Sequence, residues 1–114
     1  MPYLAIHTSQ VMAPEKQLAL SRQASKLASE ILGKPESYVM TSVEHKPVMS
    51  FAGNNDPCAY LEFKSIGLPE GQTTEFSSAL CRFVEEGLGI PATRIYIEFA
   101  NAERGLWGWN GGTF

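Results

Sequence analysis

The sequence predicts an α/β fold in which two strand–helix–strand units form one four-stranded mixed sheet with two helices on one face. Two observations support this. Placing Leu32 over Leu88 aligns two halves of the chain, roughly residues 2–50 and 58–114. In each half, strand-like segments flank a stretch whose apolar residues recur at helical spacing. Because a helix between two strands normally connects parallel neighbours, two such units predict one domain spanning residues 1–114.

The helices have recognisable ends. The first is expected to begin near Pro14, since proline is favoured in the first turn of a helix. Both are expected to end at a glycine that a proline follows within two residues, at Gly33 and Gly89. The apolar stripes consist of Leu20, Ala24, Leu27 and Ala28 in the first half, and Phe76, Leu80, Phe83 and Val84 in the second.

The four strands are predicted at residues 2–8, 39–43, 58–64 and 95–99. Residues 46–51 are predicted as a short edge strand leading into a turn at 53–57, where glycine, asparagine and proline cluster. The aromatic tail, residues 105–114, is expected to pack rather than to be disordered. It could close the core or a subunit contact as a hairpin, or form the wall of a pocket, and the sequence leaves both open.

The predicted strands have apolar residues on more than one side, for example in Ile95-Tyr96-Ile97. With helices on only one face of the sheet, such strands would expose an apolar patch. Self-association is the simplest way to cover it, and together with the internal repeat it leads us to expect a closed oligomer.

Composition excludes several classes of function. The net charge of −3 does not suggest a nucleic-acid partner. No apolar run is long enough to span a membrane, and no secretion signal is evident. The cytoplasm is therefore the default expectation, with export without a signal peptide left open. Cys58 and Cys81 are expected to be buried thiols, and neither a metal site nor a cofactor is expected because no Cys/His cluster occurs.

Pro2 is the strongest chemical feature. The chain begins Met-Pro, and a small second residue permits removal of Met1. The mature chain would then begin with a secondary amine held in a ring, a basic and nucleophilic group. A frayed terminus is the alternative, but the predicted strand that starts at Tyr3 would hold Pro2 in place.

Several short motifs, in order along almost the whole chain, accompany this start. They are Gly33-Lys34-Pro35 with Tyr38, Met49-Ser50-Phe51-Ala52-Gly53, Asp56-Pro57-Cys58-Ala59, Ser65-Ile66-Gly67, Arg94-Ile95-Tyr96-Ile97, and Gly108-Trp109-Asn110 with Thr113-Phe114. Together they make the chain resemble the macrophage migration inhibitory factor family of the tautomerase superfamily.

The resemblance implies a homotrimer that catalyses keto–enol tautomerisation of phenylpyruvate-type aromatic α-keto acids and isomerises dopachrome-type compounds. Some animal members of the family also act as cytokines. The alternative is therefore a cytokine-like signal that binds a protein receptor and has incidental tautomerase activity. An intact Pro2 and Lys34 favour the enzyme, since a pure binding module has no need of them.

The resemblance also implies roles for individual residues. Pro2 would be the catalytic base, Lys34 would pair with the substrate carboxylate and lower the pKa of Pro2, and the backbone N–H of Ile66 would bind a substrate oxygen. The aromatic pocket would comprise Tyr38, Tyr96, Trp109 and Phe114, with Tyr3 and Trp107 at its rim. Tyr96 and Glu98 would come from the neighbouring subunit. Glu98 departs from the family, which commonly has asparagine there, so the preference among ring substituents is open.

Overall fold

The computed structural model describes residues 1–114 and confirms a four-stranded mixed sheet packed against two α-helices. The sheet strands are β1 (Tyr3–Thr8), β2 (Met40–His45), β3 (Ala59–Ile66) and β4 (Ile95–Ala102), and a separate hairpin comprises β5 (Gly108–Trp109) and β6 (Gly112–Thr113). The helices are α1 (Pro14–Leu32) and α2 (Thr73–Leu88). Single 3₁₀ turns occur at Glu36–Tyr38, Glu70–Gln72, Ala92–Arg94 and Arg104–Leu106.

The sheet has the order β2-β1-β3-β4, which follows from the internal repeat. Each strand–helix–strand unit contributes a parallel pair, β1 with β2 and β3 with β4, and the two units join through the antiparallel pair β1–β3. In this register Tyr3 lies between Met40 and Lys64. The start of β1 therefore meets the start of β2 and the end of β3 at one end of the sheet.

The predicted helix ends are confirmed. Pro14 occupies the first turn of α1, where its missing N–H costs no hydrogen bond. Gly33 and Gly89 end the two helices at φ values of 63° and 71°, a left-handed conformation that glycine adopts without steric cost.

The core lies between the helices and the sheet. Alternate strand residues point toward the helices, and the larger of these are fully buried, including Leu4, Ile6, Leu61 and Phe63. The helices contribute Leu20, Ala24, Ala28, Phe76, Leu80, Val84 and Leu88. Leu27 and Phe83, also predicted for the stripes, are only partly buried and pack at the margin of this cluster.

The face of the sheet opposite the helices is mixed, so the expectation of apolar residues there is confirmed only in part: Met40 and Tyr96 are exposed on it, but its centre is polar. His7 bridges Glu44 at 3.0 Å and Glu62 at 3.1 Å, and Tyr60 donates a hydrogen bond to Glu98 at 3.1 Å. Strand alternation explains why fewer apolar residues lie here than expected, because in a run such as Ile95-Tyr96-Ile97 only the middle residue points to this face.

The edge strand predicted at residues 46–51 is not formed. Pro47 has no N–H to donate to a strand ladder, and Phe51 makes only an isolated bridge with Asn54. The two backbone hydrogen bonds of this bridge, 2.9 and 3.2 Å long, close a tight turn.

Both cysteines have free thiols; Cys58 is buried as predicted, whereas Cys81 is only partly buried. Neither helix is sufficiently long and apolar to cross a lipid bilayer.

Candidate active site

Pro2 is fixed at the end of the sheet where three strands meet. Its carbonyl accepts a hydrogen bond from the backbone N–H of Met40 at 3.0 Å, which extends the β1–β2 pairing by one residue, and its side chain is fully buried. The free amine at this point is that of Met1. Burial lowers the pKa of this amine, and the nearby charge of Lys34 lowers it further. This end of β1 thus disfavours a protonated amine.

A cavity of about 460 Å³ opens beside Pro2. Its walls combine the chain start, the residues around the first 3₁₀ turn and the C-terminal tail. The lining residues are Met1, Pro2, Tyr3, Ser37, Tyr38, Val39, Met40, Lys64, Trp107, Gly108, Trp109 and Phe114. Such a mostly apolar concavity with a few polar groups is the usual form of a small-molecule site.

Three aromatic rings form one wall of the cavity. Trp109 and Phe114 stack with their centroids 5.3 Å apart, and Tyr38 meets each of them edge-on at 6.1 Å. The tail is therefore both a hairpin and a pocket wall, the two alternatives that the sequence left open.

The β5–β6 turn explains how the tail reaches this position. Asn110 and Gly111 adopt φ values of 52° and 79°, as the two central residues of a tight hairpin turn require. The N–H of Phe114 then donates to the carbonyl of Trp107 at 3.2 Å, which brings the last ring back over the first strand of the hairpin.

Lys34 is positioned by the end of α1. Its backbone N–H donates to the carbonyl of Ser29 at 3.1 Å, which completes the glycine-terminated cap. Its Nζ donates to Ser65 Oγ at 2.9 Å and to the carbonyl of Ile66. Burial lowers the pKa of Lys34, and the charge of Arg104 adds to this effect.

Ile66 is buried at the end of β3, and its carbonyl is engaged by Lys34. Gly67 follows at φ 63°, a conformation that allows the chain to turn away directly after the strand. Neither Ile66 nor Lys34 lines the cavity itself. Lys34 is nevertheless near the chain start, since besides burial its charge lowers the pKa of the Met1 amine, and its Nζ donates to the carbonyl of Ile66.

Tyr96 and Glu98 lie on β4, two strands away from β1, and are not part of this cavity. Tyr96 packs against Phe51 with centroids 4.8 Å apart and lines a second cavity of about 430 Å³. Glu98 accepts a hydrogen bond from Tyr60. Within one chain the predicted site residues therefore form two groups, one around the start of β1 and one on the edge strand β4.

The structure adds residues that the sequence did not single out. Lys64, Ser37, Val39 and Met40 line the cavity, and Arg104 acts on Lys34 through its charge. The position of Lys64 directly before Ser65-Ile66-Gly67 was the available signal, since that motif was already assigned to the site.

Comparison with known proteins agrees with this architecture. The family model described as macrophage migration inhibitory factor (MIF) matches residues 1–114.

The chain belongs to the MIF family.

Similar proteins cover nearly the whole chain. A MIF homologue of Brugia malayi is 37% identical over 117 residues, which cover 100% of this chain and 99% of that protein. The crystal structure of a MIF homologue from Prochlorococcus marinus superposes with a TM-score of 0.90 at 46% identity, covering 98% of each chain. That of a MIF-like protein from Entamoeba histolytica gives a TM-score of 0.93 at 30% identity, covering 99% of this chain and 98% of the other.

Membership confirms the resemblance read from the motifs. It supports an activity of the general MIF kind, that is, tautomerase or cytokine-like. The choice of substrate and the catalytic group depend on the residues of the site.

Proposed function

We propose that this MIF-family protein is a tautomerase of phenylpyruvate-type aromatic α-keto acids and an isomerase of dopachrome-type compounds, with the amine of Pro2 as the base once Met1 is removed. The observation that carries the proposal is the buried Pro2 at the end of an aromatic cavity of about 460 Å³.

The chemistry requires a base with a pKa near neutrality, because a proton must leave the carbon beside the carbonyl and another must reach the oxygen. A prolyl amine in water is too basic and is mostly protonated. The surroundings of the chain start lower the pKa of an amine there, through burial first and Lys34 second. An unprotonated Pro2 nitrogen would abstract the proton and return it to the other atom.

The remaining groups would orient the substrate. Lys34 retains an N–H beyond its bonds to Ser65 and Ile66, which can pair with the substrate carboxylate. The N–H of Ile66 is the proposed partner of a further substrate oxygen. The rings of Tyr38, Trp109 and Phe114 would hold the aromatic ring of the substrate, with Tyr3 and Trp107 at the rim.

A homotrimer would unite the two groups of site residues. In that assembly Tyr96 and Glu98 of one subunit would complete the cavity of the next, with Glu98 near the end of the substrate ring. The separation of these residues from Pro2 within one chain supports this arrangement, as does the family membership.

We expect about three chains per particle from light scattering of dilute protein in native buffer, as a closed cyclic assembly requires. The measurement should be repeated across a dilution series to separate a stable trimer from weak association. A particle that remains monomeric would contradict the trimer and leave Tyr96 and Glu98 outside the site.

The proposed activity is tested by combining intact-mass measurement with an assay of phenylpyruvate tautomerisation on the same preparation. Met-free protein is expected to be active, and protein that retains Met1 is expected to be nearly inactive because its Pro2 nitrogen is an amide. Absence of turnover by Met-free protein would overturn the proposal.

Replacing Lys34 with alanine is expected to raise KM for phenylpyruvate more than it lowers kcat, because a carboxylate contact is present in both the ground and transition states. Besides burial, the charge of Lys34 lowers the pKa of the Met1 amine at the chain start. Removing the same cation is expected to raise the pKa of the Pro2 amine in Met-free protein, so the acidic limb of the pH–rate profile should move to higher pH. Steady-state kinetics from pH 5 to 9 measure both effects. An unchanged KM together with an unchanged profile would place Lys34 outside the site.

A further inference from the structure

Lys64 is the one charged side chain among the residues that line the cavity beside Pro2. The other lining residues are apolar or aromatic, apart from Ser37 and the amine of Met1. A cation on the wall of an aromatic cavity is suited to an aromatic carboxylate, because the ring and the acid group then each meet a matching surface.

Lys64 and Lys34 both lie at the end of the sheet where β1 begins, on different sides of β3. Neighbouring strand residues point to opposite faces of a sheet, so Lys64 and Ser65 project in opposite directions from β3. Lys34 contacts Ser65 on one side, whereas Lys64 faces the cavity on the other, paired in register with Tyr3.

The charge of Lys64 is only loosely compensated within the chain. Its closest carboxylate oxygen, on Glu62, is 3.5 Å away, and the other oxygen of Glu62 lies 3.1 Å from His7 Nε2. The side chain of Lys64 is 41% exposed. By contrast, Lys34 already donates two hydrogen bonds to its own chain. Lys64 is therefore the more available of the two cations for an incoming anion.

We propose that Lys64 binds one carboxylate oxygen of the α-keto acid while Lys34 binds the other, so that the cavity selects free acids over neutral esters and amides. This inference rests on the proposed function for the identity of the substrate. A carboxylate has two acceptor oxygens and can pair with two cations that approach from different sides.

The test replaces Lys64 with methionine, which keeps most of the length of the side chain and removes its charge. We expect kcat/KM for phenylpyruvate to fall about tenfold, mainly through KM, the scale of one lost charge-assisted hydrogen bond. The value of kcat/KM for the methyl ester of phenylpyruvate should change less than about twofold, because the ester has no carboxylate that could pair with Lys64. Lys64→Arg should restore most of the preference for the acid.

Binding is measured separately from turnover. Both tryptophans of the chain line the cavity, so their fluorescence reports its occupancy. Titrations use phenylacetate and phenylacetamide, an acid and a neutral amide that do not react. The parent should bind the acid more tightly, and Lys64→Met should weaken acid binding about tenfold while leaving amide binding unchanged.

Two matched variants control the comparison. Lys46→Met removes an exposed lysine that pairs with Glu44 at 3.7 Å and lies outside the cavity, and it should leave the acid preference unchanged. Glu62→Gln removes the carboxylate that pairs with Lys64 but leaves the charge of Lys64 in place. If Lys64 serves only to pair with Glu62, Glu62→Gln and Lys64→Met should lose the same amount of acid affinity. If Lys64 binds the ligand, only Lys64→Met should lose acid affinity.

The outcomes separate this inference from the proposed function. If the parent converts phenylpyruvate and Lys64→Met retains the full acid preference, the inference is wrong and the tautomerase stands. If the Met-free parent converts nothing but Lys64→Met loses acid binding, the anion site stands and the tautomerase is wrong. If the parent shows no preference for phenylacetate over phenylacetamide, the inference is wrong whatever the activity.

Discussion

Replacing Pro2 with glycine is expected to reduce turnover of phenylpyruvate by about 10²-fold or more, the usual scale for loss of a general acid–base group. Glycine keeps a free N-terminal amine but removes the ring that makes the nitrogen secondary and limits its orientation. Pro2 is buried and bonded through its carbonyl to Met40, so the parent amine is held in one place while a glycine amine would be mobile. Initial rates at saturating substrate measure the effect.

The comparison requires that both proteins have lost Met1, which intact mass establishes. Circular dichroism of the parent and the variant should coincide, because the sheet begins at Tyr3. The Met-retaining parent is the matched control, and it should be as impaired as the glycine variant. A Pro2→Gly protein that is as active as the Met-free parent would show that the proline ring is not needed and would contradict this prediction.

Replacing Phe63 with alanine is expected to lower the free energy of unfolding by about 3–5 kcal/mol, the range for deleting a large buried ring. Phe63 is fully buried on β3, and its ring lies 6.2 Å from those of both Phe76 and Phe99. Its removal is expected to leave a cavity between the sheet and α2, and the size of the loss depends on how far the neighbouring rings relax into it. Urea denaturation at one fixed protein concentration measures the loss, since association also contributes to apparent stability.

Phe63→Leu is the matched control, because it keeps an apolar side chain of intermediate volume and should cost clearly less than alanine. A truncation on the opposite face of the same strand, Tyr60→Phe, removes only a hydroxyl that bonds to Glu98 and should change stability little. Equal stability of Phe63→Ala and the parent would contradict the packing described for the core.

Much of the fold could be predicted because its signals are local. Proline in the first turn of α1 and glycine at the end of each helix act within a few residues, and both helices end where these residues predicted. The internal repeat then restricted the topology, since two strand–helix–strand units can combine into one small sheet in few ways.

Predictions from the sequence failed where a local structure depends on residues that are distant in the chain. The segment around Pro47 has the composition of a strand, but a strand forms only where a neighbouring segment provides backbone hydrogen-bond partners. The apolar content of the second face was overestimated because neighbouring apolar residues were counted without assigning the direction of their side chains. Alternation along β4 turned Ile95 and Ile97 toward α2 and left Tyr96 exposed.

At the site, the sequence motifs identified candidate residues, but they did not show which of these residues lie together in the fold. Pro2, Tyr38, Trp109 and Phe114 do line one cavity, as the resemblance implied. Lys34 and Ile66 are hydrogen-bonded to each other but do not line it, and Tyr96 and Glu98 lie on the edge strand β4. Lys64 was overlooked because a lysine on a half-exposed strand is usually solvated, and only the register with Tyr3 brings it to the cavity wall.

The sequence by itself determined the repeat, the helix ends, the family and the start at Met-Pro, because these depend on residues close together in the chain or on their order. Only the tertiary structure decided which side chains surround Pro2, that Lys34 is bonded to Ser65 and Ile66, and that Lys64 faces the cavity. The physical reason is strand pairing. The register of β1 against β2 and β3 joins residues far apart in sequence, and a slip of one residue would turn the side chains of the shifted strand to the other face.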